Sequence, residues 1–353
     1  MLAKARFSLC CYLYFTCSFA GEGLFALVFF EVFSGRGMSN ELPGRKIWIA
    51  GHRGLLGGAL QRRLGQGDHR LVTIGRDELD LRDQSGVNAF VASEKPDAII
   101  LAAARVGGIA AHKAEPSAFI LDNLLIAGHV LQAALDHGVG TLVHIASSAV
   151  YPADVPQPMS EDALMTGRLD PTHEPYGLAK LAGMTAVKAI REQYGRSFFS
   201  VLPCNLYGPG ASFHPEKSHF IPALIRRAHE AKMAGAQRLV AWGTGTPRRE
   251  VLFIDDCADA IAFLLENPPA SSFVNLGSGE DRSLREVIEI ICEIVGFTGE
   301  IAFDATKPDG VARRLMDCGR LNQMGWRPRM PLREGIRATY AWFLENHETR
   351  SAA

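Results

Sequence analysis

Between Lys46 and Gly208, short apolar runs alternate with amphipathic stretches. Lys46-Ile47-Trp48-Ile49-Ala50 reads as a buried strand, and Ala59-Leu60-Gln61-Arg62-Arg63-Leu64 after it carries a helical pattern. Further strands are expected over Arg70 to Ile74, Ala98 to Leu101, Thr141 to Ile145 and Phe199 to Leu202. Amphipathic helices are expected from about Ser117 to His137 and around Tyr176. Strand, small-residue turn and helix recurring in that order predict an α/β fold with a doubly wound parallel sheet.

Beyond Pro209 the strict alternation breaks. The pattern predicts a helix over Ile221 to Arg227 and a strand near Val240 to Trp242. Next come Val251 to Ile254 running into a helix that ends at Leu265, and a strand and tight turn over Phe273 to Gly279. Helices over Leu284 to Val295 and Leu332 to Phe343 read as packing elements without chemistry. The expected organisation is an extension over residues 1–44, a dinucleotide-binding domain over 45–210 with returning segments at about 250–280, and a smaller, discontinuous α/β substrate domain over 211–349. Tyr151 to Asp170, with Pro152, Pro156 and Pro158, is long for a connection and is expected to cross over the active site.

Met1 to Phe33 is the most apolar and aromatic part of the chain. Glu22 and Glu31 interrupt it, leaving no clean run of the ~20 residues a membrane span needs. The favoured reading is that translation starts at Met38, just ahead of the first strand; a signal peptide or anchor is the alternative. Nothing downstream reads as a transmembrane segment, so a cytoplasmic protein is expected. With 37 basic and 38 acidic residues, charge gives no case for nucleic acid or a membrane surface. The 7 cysteines, among them Cys10, Cys11 and Cys17, lack paired-ligand spacing, so no metal site is expected.

The chemistry begins directly after the first strand. Gly51-His52-Arg53-Gly54-Leu55-Leu56-Gly57-Gly58 leads into a helix, a context in which glycines permit a tight turn and let backbone N–H groups approach a pyrophosphate. At the end of the second strand stands Gly75-Arg76-Asp77-Glu78. Arg76 there, with Arg53 in the glycine loop, suits a ribose 2′-phosphate, because Arg binds phosphate in a planar fork. NADP(H) is therefore the expected cofactor; the alternative is that Asp77 or Glu78 takes the ribose. The turn Pro203-Cys204-Asn205-Leu206-Tyr207-Gly208-Pro209 is expected beside the nicotinamide.

His173-Glu174-Pro175-Tyr176-Gly177-Leu178-Ala179-Lys180 places a Tyr and a Lys four apart on one helix face. The ammonium is expected to favour ionisation of the phenol, making it an acid/base group. Upstream, the strand Thr141 to Ile145 ends in Ala146-Ser147-Ser148, whose hydroxyls suit a reacting carbonyl.

Taken together, the glycine spacing, the Ser-Ser strand end and Tyr-x3-Lys resemble the extended short-chain dehydrogenase/reductases, in their nucleotide-sugar epimerase/dehydratase branch. Ile49 to Gly54, Ala102 to Gly108, Asn205 to Pro209 and Lys307 to Gly310 resemble the GDP-L-fucose synthase family, with a match from about Lys46 to Glu345. The resemblance implies a Rossmann-type fold and conversion of GDP-4-keto-6-deoxy-D-mannose to GDP-L-fucose by C3 and C5 epimerisation and C4 reduction with NADPH. It implies catalytic roles for Ser147, Tyr176, Lys180 and His219. It implies cofactor contacts from Gly51, His52, Arg53, Gly54, Leu55, Leu56, Gly57, Arg76, Ala146, Ser147, Ser148, Lys180, Pro203, Cys204, Asn205, Leu206 and His219. Substrate contacts fall on Arg227, Trp242, Arg249 and Asp309, with Arg314 a further candidate. Asn123 resembles the family's polar contact below the sheet. A homodimer through the Ser117 to His137 and Tyr176 helices is also implied. One residue departs from the family: Ala149 stands where a Cys serves as epimerisation acid/base. Three readings follow: another group such as His219, a water or Cys204 substitutes; epimerisation is slow; or the chain is a C4 reductase without epimerase activity.

Overall fold

A computed structural model describes residues 44–215, 218–307 and 309–351. The apolar first segment and both candidate starts lie outside the described residues. In chain order the first half is β1 (Lys46–Ala50), α1 (Leu55–Leu64), β2 (Arg70–Val72), α2 (Gln84–Glu94), β3 (Ala98–Leu101), α3 (Ile109–Ala114), α4 (Pro116–Asp136), β4 (Thr141–Ile145), α5 (Glu174–Tyr194) and β5 (Ser197–Pro203). The second half is β6 (Asn205–Tyr207), α6 (Phe220–Met233), β7 (Arg238–Trp242), β8 (Arg248–Phe253), α7 (Ile254–Glu266), β9 (Phe273–Leu276), β10 (Asp281–Ser283), α8 (Leu284–Val295), β11 (Glu300–Asp304), β12 (Arg313–Arg314), α9 (Gly319–Gln323) and α10 (Leu332–Ser351).

Six strands form one parallel sheet in the order β2-β1-β3-β4-β5-β9. Side chains along a strand point alternately to its two faces, and β1 shows it: Ile47 and Ile49 join the core that holds Ala59 and Leu60 of α1 and Ile261 of α7, while Trp48 and Ala50 join the core of α2, α4 and α5. Helices on both faces explain why the strands are apolar throughout. The connections leave β1 in opposite directions to β2 and β3, and the crevice at such a switch point is where a doubly wound sheet receives ligands. This is the expected Rossmann-type sheet.

A separate core gathers Tyr207, Ile225, Ile288 and Phe343. Here β8 pairs with β6, β10 and β12, and β7 pairs with β11. α7 packs beside α1, where Arg62 and Arg63 of α1 bond Asp255 and Asp259, each at 2.7 Å.

Several elements differ from expectation. β2 stops at Val72, and α2 and α3 lack the apolar periodicity that would have announced them: α2 buries only Val87 and Val91 among its residues. By length and composition α4 would be enough to cross a membrane, where no downstream segment was expected to read as one. It reaches a mean hydropathy of 1.6, yet Phe119, Val130 and Leu131 on it are buried in the protein. The segment from Tyr151 to Asp170 borders the cleft at Ala153 and Asp170 and is pinned into the fold in between. The Tyr151 hydroxyl donates to Asn275 Oδ1 (2.7 Å), and Asn275 Nδ2 donates to the Met159 and Asp317 carbonyls (3.0 Å each).

Candidate active site

The glycine loop joins β1 to α1 at the switch point. Gly54 is the N-cap of α1 and offers no side-chain cap, so the first-turn amides of the helix are left for an anion. Gly57 has no room for a side chain: a Cβ there would lie 2.1 Å from the Gly51 carbonyl oxygen. The cradle therefore fits a dinucleotide pyrophosphate. Gly57→Ala must push the turn open and is expected to weaken dinucleotide binding roughly tenfold or more, about 1.4 kcal/mol, in a fluorescence titration.

Arg76 lines the main cleft, a cavity of about 1780 Å³. Arg53 does not line it. Its guanidinium bonds Asp77 at 2.6 Å, with both side chains well exposed; a backbone hydrogen bond first, and then that Arg53 bond, hold the Asp77 carboxyl below its usual range. His52 is likewise outside the cleft lining. Neither Asp77 nor Glu78 lines it either, so Arg76 alone of this set borders the cleft. The other residues expected at the cofactor, from Gly51 and Gly54–Gly57 through Ala146–Ser148 to Pro203–Leu206, all line the cleft.

Tyr176 and Lys180 sit in the first turns of α5 and are buried, at 8% and 5% exposure. Gly177 brings them to the Ser-Ser turn, because a Cβ at that position would lie 2.8 Å from the Ala149 carbonyl oxygen. Lys180 Nζ donates to the Ile145 carbonyl at the end of β4 (2.7 Å). Ser147 Oγ accepts from the Ala149 amide (3.2 Å), which fixes its side chain at the start of a one-turn 3-10 helix. Burial pushes the Tyr176 phenol up to about 12, and its hydrogen bond with Ser147 works the other way. Burial lowers the Lys180 ammonium to about 8. Burial is thus the largest influence on the phenol and Ser147 opposes it, while the Lys180 ammonium lies 5.8 Å from the Tyr176 ring centroid.

On the substrate side, Arg249 and Arg314 stand opposite each other on the paired strands β8 and β12. Burial lowers the pKa of both, and of Arg227 on α6. None of the three has a carboxylate ion pair among the described residues; Arg227 donates to the Val240 carbonyl and Arg314 to that of Ser148 (3.3 Å). Such partly buried guanidiniums match a diphosphate. Trp242 is 69% exposed at the rim, with the Lys307 ammonium 5.8 Å from its ring centroid. Asp309 is less free than expected: its carboxylate accepts from the Thr244 amide (2.7 Å) and hydroxyl (2.8 Å), so its local role is to shape that loop.

Further residues converge here, some expected from the sequence and some not. Asn123 is buried and pins the Arg105 loop, accepting from the Arg105 amide (2.9 Å) and donating to its carbonyl (3.1 Å). His219, at the N-cap of α6, opens to solvent through the cleft yet is walled closely enough that burial lowers its pKa, with His173 adding repulsion. His173 and the buried His112 stack edge to face with ring centroids 4.7 Å apart, and His112 lies 5.5 Å from the Tyr176 ring. A lone His on a six-residue helix carries no sequence signal, so His112 was not among the expected site residues. Cys204, one substitute considered for the missing thiol, is buried against the Asn205 carbonyl with its pKa pushed well up by burial.

Residues 47–277 match the NAD dependent epimerase/dehydratase family. The chain is 49% identical over 302 residues to GDP-L-fucose synthase 1 of Arabidopsis thaliana, covering 85% of this chain and 94% of that one. Among solved structures, a GDP-6-OMe-4-keto-L-xylo-heptose reductase from C. jejuni superposes with a TM-score of 0.80 at 33% identity, covering 86% of this chain and 98% of that one. A GDP-L-fucose synthetase from Naegleria fowleri bound to NADP gives 0.79 at 26% identity, covering 87% and 96%. Family match, relatives and sheet topology agree, and the chain belongs to the NAD dependent epimerase/dehydratase family, on its GDP-L-fucose synthase branch.

Proposed function

We propose that this protein converts GDP-4-keto-6-deoxy-D-mannose to GDP-L-fucose, epimerising C3 and C5 and reducing C4 with NADPH. The observation that carries this reading is one cleft holding Ser147, Tyr176 and Lys180 together with Arg227, Arg249 and Arg314. The glycine cradle and Arg76 would hold NADPH, which supplies the hydride that C4 receives. Tyr176, kept protonated by burial, donates its proton to the C4 oxygen, and Ser147 orients that oxygen by hydrogen bonding. Lys180, anchored on the Ile145 carbonyl, presents its ammonium to the cofactor ribose. The arginines take the diphosphate and fix the sugar against Tyr176.

We assign the six-stranded sheet to the cofactor and the β6, β8, β10 and β12 sheet with α6 and α8 to the nucleotide-sugar. Leu121 and Leu125 on α4 and Leu178 on α5 are exposed apolar residues on neighbouring helices, which supports a homodimer formed through this pair. The enzyme acts in the cytoplasm on this reading. Arg76→Ala is expected to raise KM for NADPH roughly tenfold while leaving NADH nearly unaffected, since it removes a guanidinium fork for phosphate. Arg53→Ala should have the smaller effect, because Asp77 already occupies that guanidinium.

A second reading rests on Ala149: a C4 reductase that leaves C3 and C5 unchanged. Incubation with the 4-keto sugar and NADPH in deuterated water separates the two by NMR. Deuterium at C3 and C5 of an L-galacto product supports the synthase; coenzyme oxidation with neither carbon labelled supports the reductase.

A further inference from the structure

We infer that His112 is a proton-transferring residue of the epimerisation, working with His219 in place of the thiol that Ala149 lacks. The inference rests on the synthase reading above. His112 lines the cleft, is 6% exposed, and its buried Nδ1 makes no well-formed hydrogen bond among the described residues, although the Gly107 backbone lies against the ring. A buried polar atom without a good partner is destabilising, so its retention beside a reactive phenol calls for a use. The ring is held in place by stacking on Phe119 at 3.9 Å and by its edge contacts with His173 and Tyr176. It therefore stands in a fixed position next to the group that binds the C4 oxygen, where the hydrogens on the neighbouring carbons must be exchanged.

The other candidates in the cleft are engaged. Asp170 faces His173 at 3.5 Å, Asp309 is held by Thr244, and the buried Cys204 thiol resists ionisation. Burial, with repulsion from His173 and His219, holds His112 down at about 4, so its imidazole is neutral and able to accept a proton at pH 7. The imidazolium that forms is stabilised by the enolate charge arising in the same step.

The step balances without any oxidant. The C–H bond at C3 or C5 breaks and its proton passes to His112, while the electron pair moves into the ring C–C bond and onto the C4 oxygen. Tyr176 and Ser147 donate hydrogen bonds to that oxygen. His219, recharged from water through the open cleft, delivers a proton to the opposite face, and the enolate pair re-forms the C–H bond. His112 returns its proton to water before the second carbon reacts.

The test measures deuterium exchange at C3 and C5 with oxidised coenzyme bound, so that no reduction competes. His112→Asn is expected to lower exchange roughly 100-fold, the scale of a lost acid/base group. Dinucleotide affinity, read by fluorescence, should stay within about twofold, because no coenzyme contact is removed. Adding Ala149→Cys to that variant should bring exchange back, which a merely structural role for His112 would not produce. Exchange undiminished in His112→Asn, or a loss that Ala149→Cys leaves untouched, would overturn this inference alone. A wild-type chain that oxidises NADPH without any exchange would overturn the synthase reading as well.

Discussion

Tyr176→Phe is expected to lower kcat for C4 reduction by roughly 10²–10⁴-fold, the range for loss of a positioned general acid. Phe retains the ring packing against His112 and Phe119 (centroids 5.5 and 6.4 Å), so the loss should fall on the chemical step and not on coenzyme affinity. The pH profile adds a second reading of the same site. Because burial raises the phenol to about 12, Tyr176 keeps its proton throughout the working range. Lys180 is the group that titrates within it: its cation is present below about 8 and is lost as pH rises through that value. The kcat profile should accordingly be level on the acid side and fall with a single ionisation above pH ~8. A variant within tenfold of wild type would remove Tyr176 from the proton-donor role.

Asn275→Leu is expected to destabilise the fold by about 3–5 kcal/mol, the cost of leaving several buried polar groups unpaired. Asn275 is fully buried on β9 and receives or supplies bonds to the Tyr151 hydroxyl and the Met159 and Asp317 carbonyls, while its own amide reaches Glu161 at 3.2 Å. Leucine fills the volume and keeps the backbone bond to Glu161 but offers none of the three side-chain bonds. Urea unfolding should show a lower midpoint with an unchanged slope. A shift under about 1 kcal/mol would mean that the strap between Tyr151 and Asp170 is held by something else. The strap matters to the site because Arg314, on the adjoining β12, donates to the Ser148 carbonyl at the strand end.

How far each of these groups could be read from the chain depends on the range of the interactions that place it. Tyr176 and Lys180 are four residues apart on α5, and helical geometry alone sets them on one face. The glycine loop is equally local: a strand, a turn that admits no Cβ at Gly57 and a helix N-terminus follow within a dozen residues. These follow from backbone sterics, which neighbouring residues carry with them. The family resemblance extended that reach to Arg227, Arg249 and His219, whose types are compatible with many surfaces.

Packing decided the remainder. Whether an arginine lines a cleft or sits at its rim turns on partners far away in sequence, and Arg53 is held outside by Asp77, 24 positions on. The ionisation of Tyr176 and Lys180 follows burial, which is a property of the assembled core and not of the Tyr-x3-Lys spacing. His112, His173 and His219 come from three separate segments and meet only because α3, the start of α5 and the start of α6 border the same cleft. Local chain chemistry therefore sufficed for the sheet, the glycine cradle and the Tyr-Lys pair. The histidine cluster, the arginines' shared exposure to the cleft and the shifted pKa values of Tyr176, Lys180 and His112 required the tertiary structure, because desolvation and contact between distant segments arise only when the chain closes on itself.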